Sequence, residues 1–135
     1  MNLDAISTNW APRLLSVLRI MTGLLFLAHG TQKLFGFPPR SGGGNAPELI
    51  SMIGAAGILE LVGGVLIVLG LFTRPTAFIL SGQMAFAYFI AHAPRNVFPS
   101  LNGGDAAILF CFIFLYLAAA GAGPWSLDAQ RRRGV

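Results

Sequence analysis

Glu60 stands in Leu59-Glu60-Leu61-Val62-Gly63-Gly64, a carboxylate near the middle of an apolar run over 49–72. In a helix it lies about 18 Å from Glu48, near the midplane of a bilayer that the run spans. A charged acid at that depth costs on the order of 2.5–3.5 kcal/mol, so it requires a partner, a proton or a task. Arg19, inside the first apolar run, is the counter-ion expected at comparable depth, and Gln83, mid-way along the third, is a further member of such a network. Three arrangements stay open. The pair could neutralise itself and fix which helices pack; it could floor a polar pocket for a ligand or proton; or Glu60 could be protonated while Arg19 snorkels to the headgroups.

A second set of chemistry-bearing residues, His29, Lys33, His92, Arg95, Asn102 and Asp105, falls near predicted helix ends, where a solvated rim is the plain reading. His29 and His92 sit at similar depth, which would suit bis-imidazole haem ligation, yet no sequence feature requires it and haem is disfavoured. A metal site from the two histidines and Asp105 lacks any signature spacing. Ser41-Gly42-Gly43-Gly44 lacks the Lys-Ser/Thr ending and preceding strand of a phosphate-binding loop. No Ser-His-Asp or Cys-His arrangement is readable, and the lone Cys111, in an apolar run, reads as a small packing residue that can form no disulfide within one chain. The signal for catalysis is weak, and the sequence leaves enzymatic activity undecided.

The elements that must position these residues follow from composition. Of 135 residues, 55% are apolar and only 10% charged, and the mean hydropathy is +0.70. A soluble domain carries about a quarter charged residues, so this chain reads as an integral membrane protein in contact with the lipid bilayer. The net charge of +4, with Arg131, Arg132 and Arg133 together in the tail, suits a membrane surface rather than nucleic acid. Arg13 and Arg19 before the apolar stretch 20–28 resemble a signal peptide, but His29-Gly30-Thr31-Gln32-Lys33 follows where a cleavage site would stand, so a retained span is expected.

Four spans are predicted, at about 14–33, 48–72, 75–93 and 105–120, in one domain over 1–135. Pro12 favours a helix start nearby, and Asn45, Pro47 and Glu48 read as the start of the second helix. Thr73-Arg74-Pro75 reads as a tight turn, and Asn102 or Asp105 as the cap of the fourth helix. Short loops make an up-down-up-down four-helix bundle. Arg13, Arg74 and the arginine tail on one side outnumber Lys33, Arg40 and Arg95 on the other, which places both termini in the cytoplasm with Trp10 and Trp125 at one interface. Helical phase puts Arg19, Gly23, Gly30 and Lys33 on one face, and Glu60 among Gly57, Gly63 and Gly64, so Glu60 should face protein.

The ordered set His29-Gly30-Thr31-Gln32-Lys33-Leu34-Phe35-Gly36, Glu60-Leu61-Val62-Gly63-Gly64, Gly70-Leu71-Phe72-Thr73-Arg74, Asn102-Gly103-Gly104-Asp105 and Gly123-Pro124-Trp125-Ser126-Leu127-Asp128 resembles the DoxX family. Many members carry Glu after the Gly-Gly pair, where this chain has the shorter Asp105. The resemblance implies a four-helix, multi-pass protein of the inner membrane. Relatives are linked to thiosulfate:quinone oxidoreductase, to membrane complexes that handle oxidative or thiol stress, and to quinone and catechol resistance. Two functions are therefore expected as alternatives. One is a subunit for quinone-linked redox chemistry, with a partner redox protein, Arg19 and Glu60 as the deep end of a pocket, and His29, Lys33 and Asp105 at its mouth. The other is a non-catalytic scaffold, free to form homo-oligomers, whose buried charges specify packing. A solute transporter is a weaker third, since no internal repeat is evident.

Overall fold

A computed structural model describes residues 2–40 and 51–135, and these are all-helical, with no strand among them. The helices are α1 (Leu3–Phe35), α2 (Met52–Leu69), α3 (Thr73–Ala87), α4 (Pro99–Asn102), α5 (Asp105–Ala120) and α6 (Leu127–Arg133), with a π-helical turn, Tyr88–His92, extending α3. α1 and α2 are long and apolar enough to cross a membrane. α5 is apolar but shorter.

Local chemistry explains most boundaries. α1 starts at Leu3 rather than near Leu14, because Asn2 Oδ1 accepts the N–H groups of Asp4 and Ala5 at 3.1 and 3.4 Å and Asp4 sits in the positive first turn. Pro12 is therefore inside the helix, not at its start. Gly36, in the left-handed conformation, closes α1. The expected cap of the second span at Asn45, Pro47 and Glu48 lies outside the described residues. α2 ends at Leu69 rather than 72, since Gly70 is left-handed (φ 67°) and the Leu71 N–H reaches back to Leu66 O at 3.0 Å, a Schellman closure. α3 begins at Thr73, so Arg74 and Pro75 lie in its first turn, where a missing N–H costs nothing. α5 spans the residues predicted for the fourth helix, but Gly104 is its N-cap and no side chain caps it. Asp105 stands first in the helix instead.

α1 packs along α2, and α3 along α5; α2 touches α3, and α1 touches α5. The apolar centre is Phe26, Ile67, Ala77, Leu80, Met84, Phe114 and Leu117, contributed by all four of these helices. Phe26 meets Phe114 edge-on with ring centroids 4.9 Å apart. The α1–α2 seam is set by glycine. Gly57 lies against Leu34 and Lys33, Gly30 against Glu60 and Leu61, Gly64 against Leu27, and Gly23 against Ile67 and Val68. This antiparallel register brings the two backbones together, as small residues do in membrane helix pairs. Outward, Leu25, Phe78, Phe89, Leu109 and Phe112 are exposed, an apolar surface suited to lipid.

Candidate functional site

The seam fixes where each charge goes. Glu60, 1% exposed, lies opposite Gly30, and Lys33 is one turn further along α1. Lys33 Nζ reaches back to Glu60 Oε1 at 2.5 Å. Gln83, on α3, donates its amide N–H to the same oxygen at 3.2 Å and to Ala56 O at 3.4 Å. Two acceptors in this cluster, Glu60 Oε2 and Gln83 Oε1, are buried with no hydrogen-bond partner among the described residues. Leaving a buried acceptor unsatisfied costs about 1–3 kcal/mol, so both oxygens are places where an added donor would stabilise the cluster. The Lys33 side chain keeps 28% of its surface exposed, which makes it the open side of the cluster.

The expected Arg19–Glu60 pair does not form. Arg19 is wholly buried two turns away along the seam, roughly 10 Å, level with the C-terminal end of α2. There its guanidinium donates to four backbone carbonyls: Ile67 O at 2.5 Å, Val68 O at 2.6 Å, Ala122 O at 2.8 Å and Trp125 O at 2.5 Å. The physical reason is local. The last carbonyls of a helix are unpaired and carry its negative pole, and a five-donor fork satisfies several at once. A single pocket around Arg19 and Glu60 is accordingly replaced by two separate polar centres.

The Arg19 centre joins three chain segments. Gly70 approaches so closely that a Cβ there would lie 2.9 Å from Arg19 Cζ. Trp125 donates its N–H to Ser16 Oγ at 3.2 Å, and Ser126 caps α6 by accepting the Ala129 N–H at 3.1 Å. Asp128 accepts the N–H groups of Phe72 and Thr73, both at 2.9 Å, and so caps α3 from outside. Burial works against ionisation of Asp128, but its bonds to Thr73 and Phe72 and the charge of Arg131 outweigh it and hold its pKa below the usual carboxylate value. Arg74 in turn donates to Ala118 O and Ala119 O, the last carbonyls of α5.

The remaining predicted site residues are dispersed. His29 is exposed, its ring edge-on to Phe110 at 5.8 Å. His92 Nδ1 is 3.1 Å from Asn102 O, and its ring stacks on Tyr88. Asp105 is exposed at the start of α5. Asn102, expected at a solvated rim or as a helix cap, is buried and organises this end: its amide donates to Tyr88 OH and Asn96 O, and it accepts the Gly104 N–H at 2.8 Å. The roles missed in the sequence are those of Ser16, Ser126 and Asp128. The Gly123–Asp128 motif marked the last two, and the spacing of Ser126 before an acidic first turn is a capping signal.

The model of the DoxX family matches residues 14–93, from the first buried turns of α1 to the π-turn after α3. The chain belongs to the DoxX family. That stretch carries Arg19, His29, Lys33, Glu60, Gln83 and His92, whereas Asp105 and the docked tail lie beyond it. This DoxX protein is 44% identical over 122 residues to an uncharacterized protein of Haemophilus influenzae, a match covering 88% of this chain and 91% of that one. It is 32% identical over 129 residues to the inner membrane protein YphA of Escherichia coli, covering 88% and 91%. An uncharacterized membrane protein of Mycobacterium tuberculosis is 30% identical over 138 residues, covering 84% and 78%. No solved structure matches the chain significantly. It is a membrane protein of the DoxX family.

Proposed function

We propose that this chain is a four-span subunit of the inner membrane, both termini cytoplasmic, that handles the protons of a quinol for a partner redox protein. The contacts α1–α2, α2–α3, α3–α5 and α1–α5 support a four-span bundle, and the arginine-rich tail supports the orientation. The reading is carried by Glu60 Oε2, a buried acceptor with no donor among the described residues, beside Gln83 Oε1, which likewise has none there. Two bare acceptors fit a ligand bearing hydroxyl donors. Such a quinol supplies two protons and two electrons, and the electrons leave to the partner protein. Lys33 and Gln83 hold Glu60 Oε1 and so orient the carboxylate. Glu60 takes the two protons one after the other at Oε2. After each, Lys33, the exposed side of the cluster, releases one proton outward and is reprotonated from Glu60, so two rounds carry both protons away.

The test is titration of a short-chain benzoquinol into the purified protein and its Glu60→Gln variant, followed by tryptophan fluorescence. Glu60→Gln keeps the shape and should weaken binding by about tenfold or more, the worth of one strong hydrogen bond. Equal binding removes the reading. The alternative, a scaffold whose charges specify packing, is favoured by the 2.5 Å Lys33–Glu60 contact inside a glycine-lined seam. It predicts that Lys33→Met lowers detergent stability or partner co-purification, and that the double variant Lys33→Met with Glu60→Gln recovers part of it, with no quinol effect in any variant.

A further inference from the structure

The arginines at the opposite end of the molecule are not used by the Glu60 cluster. A groove of about 560 Å³ lies between the first turn of α3, the loop after α5 and α6, lined among others by Phe72, Thr73, Arg74, Gly121, Arg131 and Arg132. That volume is in the range of small-molecule sites. Its charges are unevenly committed. Asp128 also lines it, but both carboxylate oxygens accept backbone N–H groups of Phe72 and Thr73. Arg74 is partly engaged with the α5 carbonyls. Arg131 is held over the Phe72 ring at 4.8 Å, and no acceptor among the described residues bonds to its guanidinium. Arg132 donates only Nε, to Asp128 O at 3.4 Å. Two forks are thus positioned at one concave surface with most donors free, beside the exposed aromatic residue Phe72.

We propose that this groove binds a phosphate ester, the group shared by anionic lipid headgroups and soluble phosphates. Planar guanidinium forks match phosphate oxygens two at a time, and stacking on Phe72 removes part of the ordering cost for Arg131. General attraction of a basic tail to anionic membranes is the competing explanation, and it depends on charge number alone. The two differ in what position matters.

The experiment places the full chain in phosphatidylcholine nanodiscs containing phosphatidylglycerol and measures, by native mass spectrometry after transfer to mild detergent, how much phosphatidylglycerol stays bound. Arg131→Gln with Arg132→Gln should lose about tenfold more retained lipid than Arg13→Gln with Arg133→Gln. The second pair removes equal charge outside the groove. Equal losses overturn the proposal. In a parallel arm, glycerol 3-phosphate and inorganic phosphate are titrated into detergent-purified protein by calorimetry. Saturable binding that the groove pair abolishes identifies a soluble phosphate as the ligand, and silence alongside retained lipid identifies the headgroup. Groove-independent behaviour of both probes overturns the site. Unchanged melting temperatures confirm that these exposed substitutions leave the fold intact.

Discussion

At the scale of single residues, the two buried charges among the described residues solve the same problem differently. Glu60 finds a side-chain cation, Lys33, and an amide, Gln83, yet keeps one oxygen bare. Arg19 finds backbone alone, four carbonyls from α2 and the stretch before α6. That difference decides what each can do: a saturated arginine is a fastener, and an unsaturated acid can take part in chemistry. Arg19→Lys tests the first half. A single ammonium cannot follow the fork to both ends of the carbonyl set, so at least two charge-assisted bonds are lost, roughly 3 kcal/mol or more. The expected result is a lower melting temperature in detergent with quinol titration unchanged. Glu60 was legible in the sequence because a charge in an apolar run is conspicuous. Its partner was not. Lys33 lies near a predicted helix end and reads as rim, while its long stem lets it turn back into the seam. Carbonyl acceptors for Arg19 carry no residue signature at all.

At the scale of helices, the Lys33–Glu60 contact exists because α1 and α2 approach through glycine. A Cβ at Gly30 would stand 2.7 Å from Leu61 N and 3.0 Å from Glu60 C, both backbone atoms that cannot swing away. Gly30→Ala therefore pushes the helices apart at the level of Glu60, at about 1–3 kcal/mol for overpacking. Gly82, on the exposed side of α3, meets nothing within 4 Å. Gly82→Ala should be neutral or stabilising by roughly 0.5–1 kcal/mol, through helix propensity alone. Melting temperatures of the two variants check the contrast, and equal effects would mean that the seam is not tight. The helical phase of the small residues around Glu60 was enough to place it at a protein contact, and glycines at both ends of 105–120 made α5 readable. The start of α1 was misread because Pro12 is a start signal that the stronger cap at Asn2 overrides. The cap at the start of α3 was hidden because Asp128 arrives from 55 residues away.

At the scale of the whole molecule, the tail is what holds the Arg19 end together. Ser16 of α1 receives the Trp125 N–H, Gly70 after α2 offers its carbonyl to the Asp128 N–H at 2.9 Å, and the Asp128 carboxylate covers the open N-terminus of α3. The middle of α1, the end of α2 and the start of α3 are thereby tied to one short segment. The tie depends on pH with a definite sign. The Asp128 carboxyl group has a lowered pKa in the folded chain, so its contribution is fully present above the ordinary carboxylate pKa and disappears as pH falls through the depressed folded value. Protonation removes acceptor strength from the bonds to Phe72 and Thr73 and releases the tail before the apolar centre responds, since Phe26, Leu80 and Phe114 hold no titrating group. Hydrogen exchange of α6 and of the first turn of α3 should therefore accelerate together on acidification, with α1 and α2 unchanged. Asp128→Asn should show the accelerated exchange already at neutral pH and lose most of the acid dependence. Exchange that rises in α6 alone would mean that Asp128 does not couple the tail to α3.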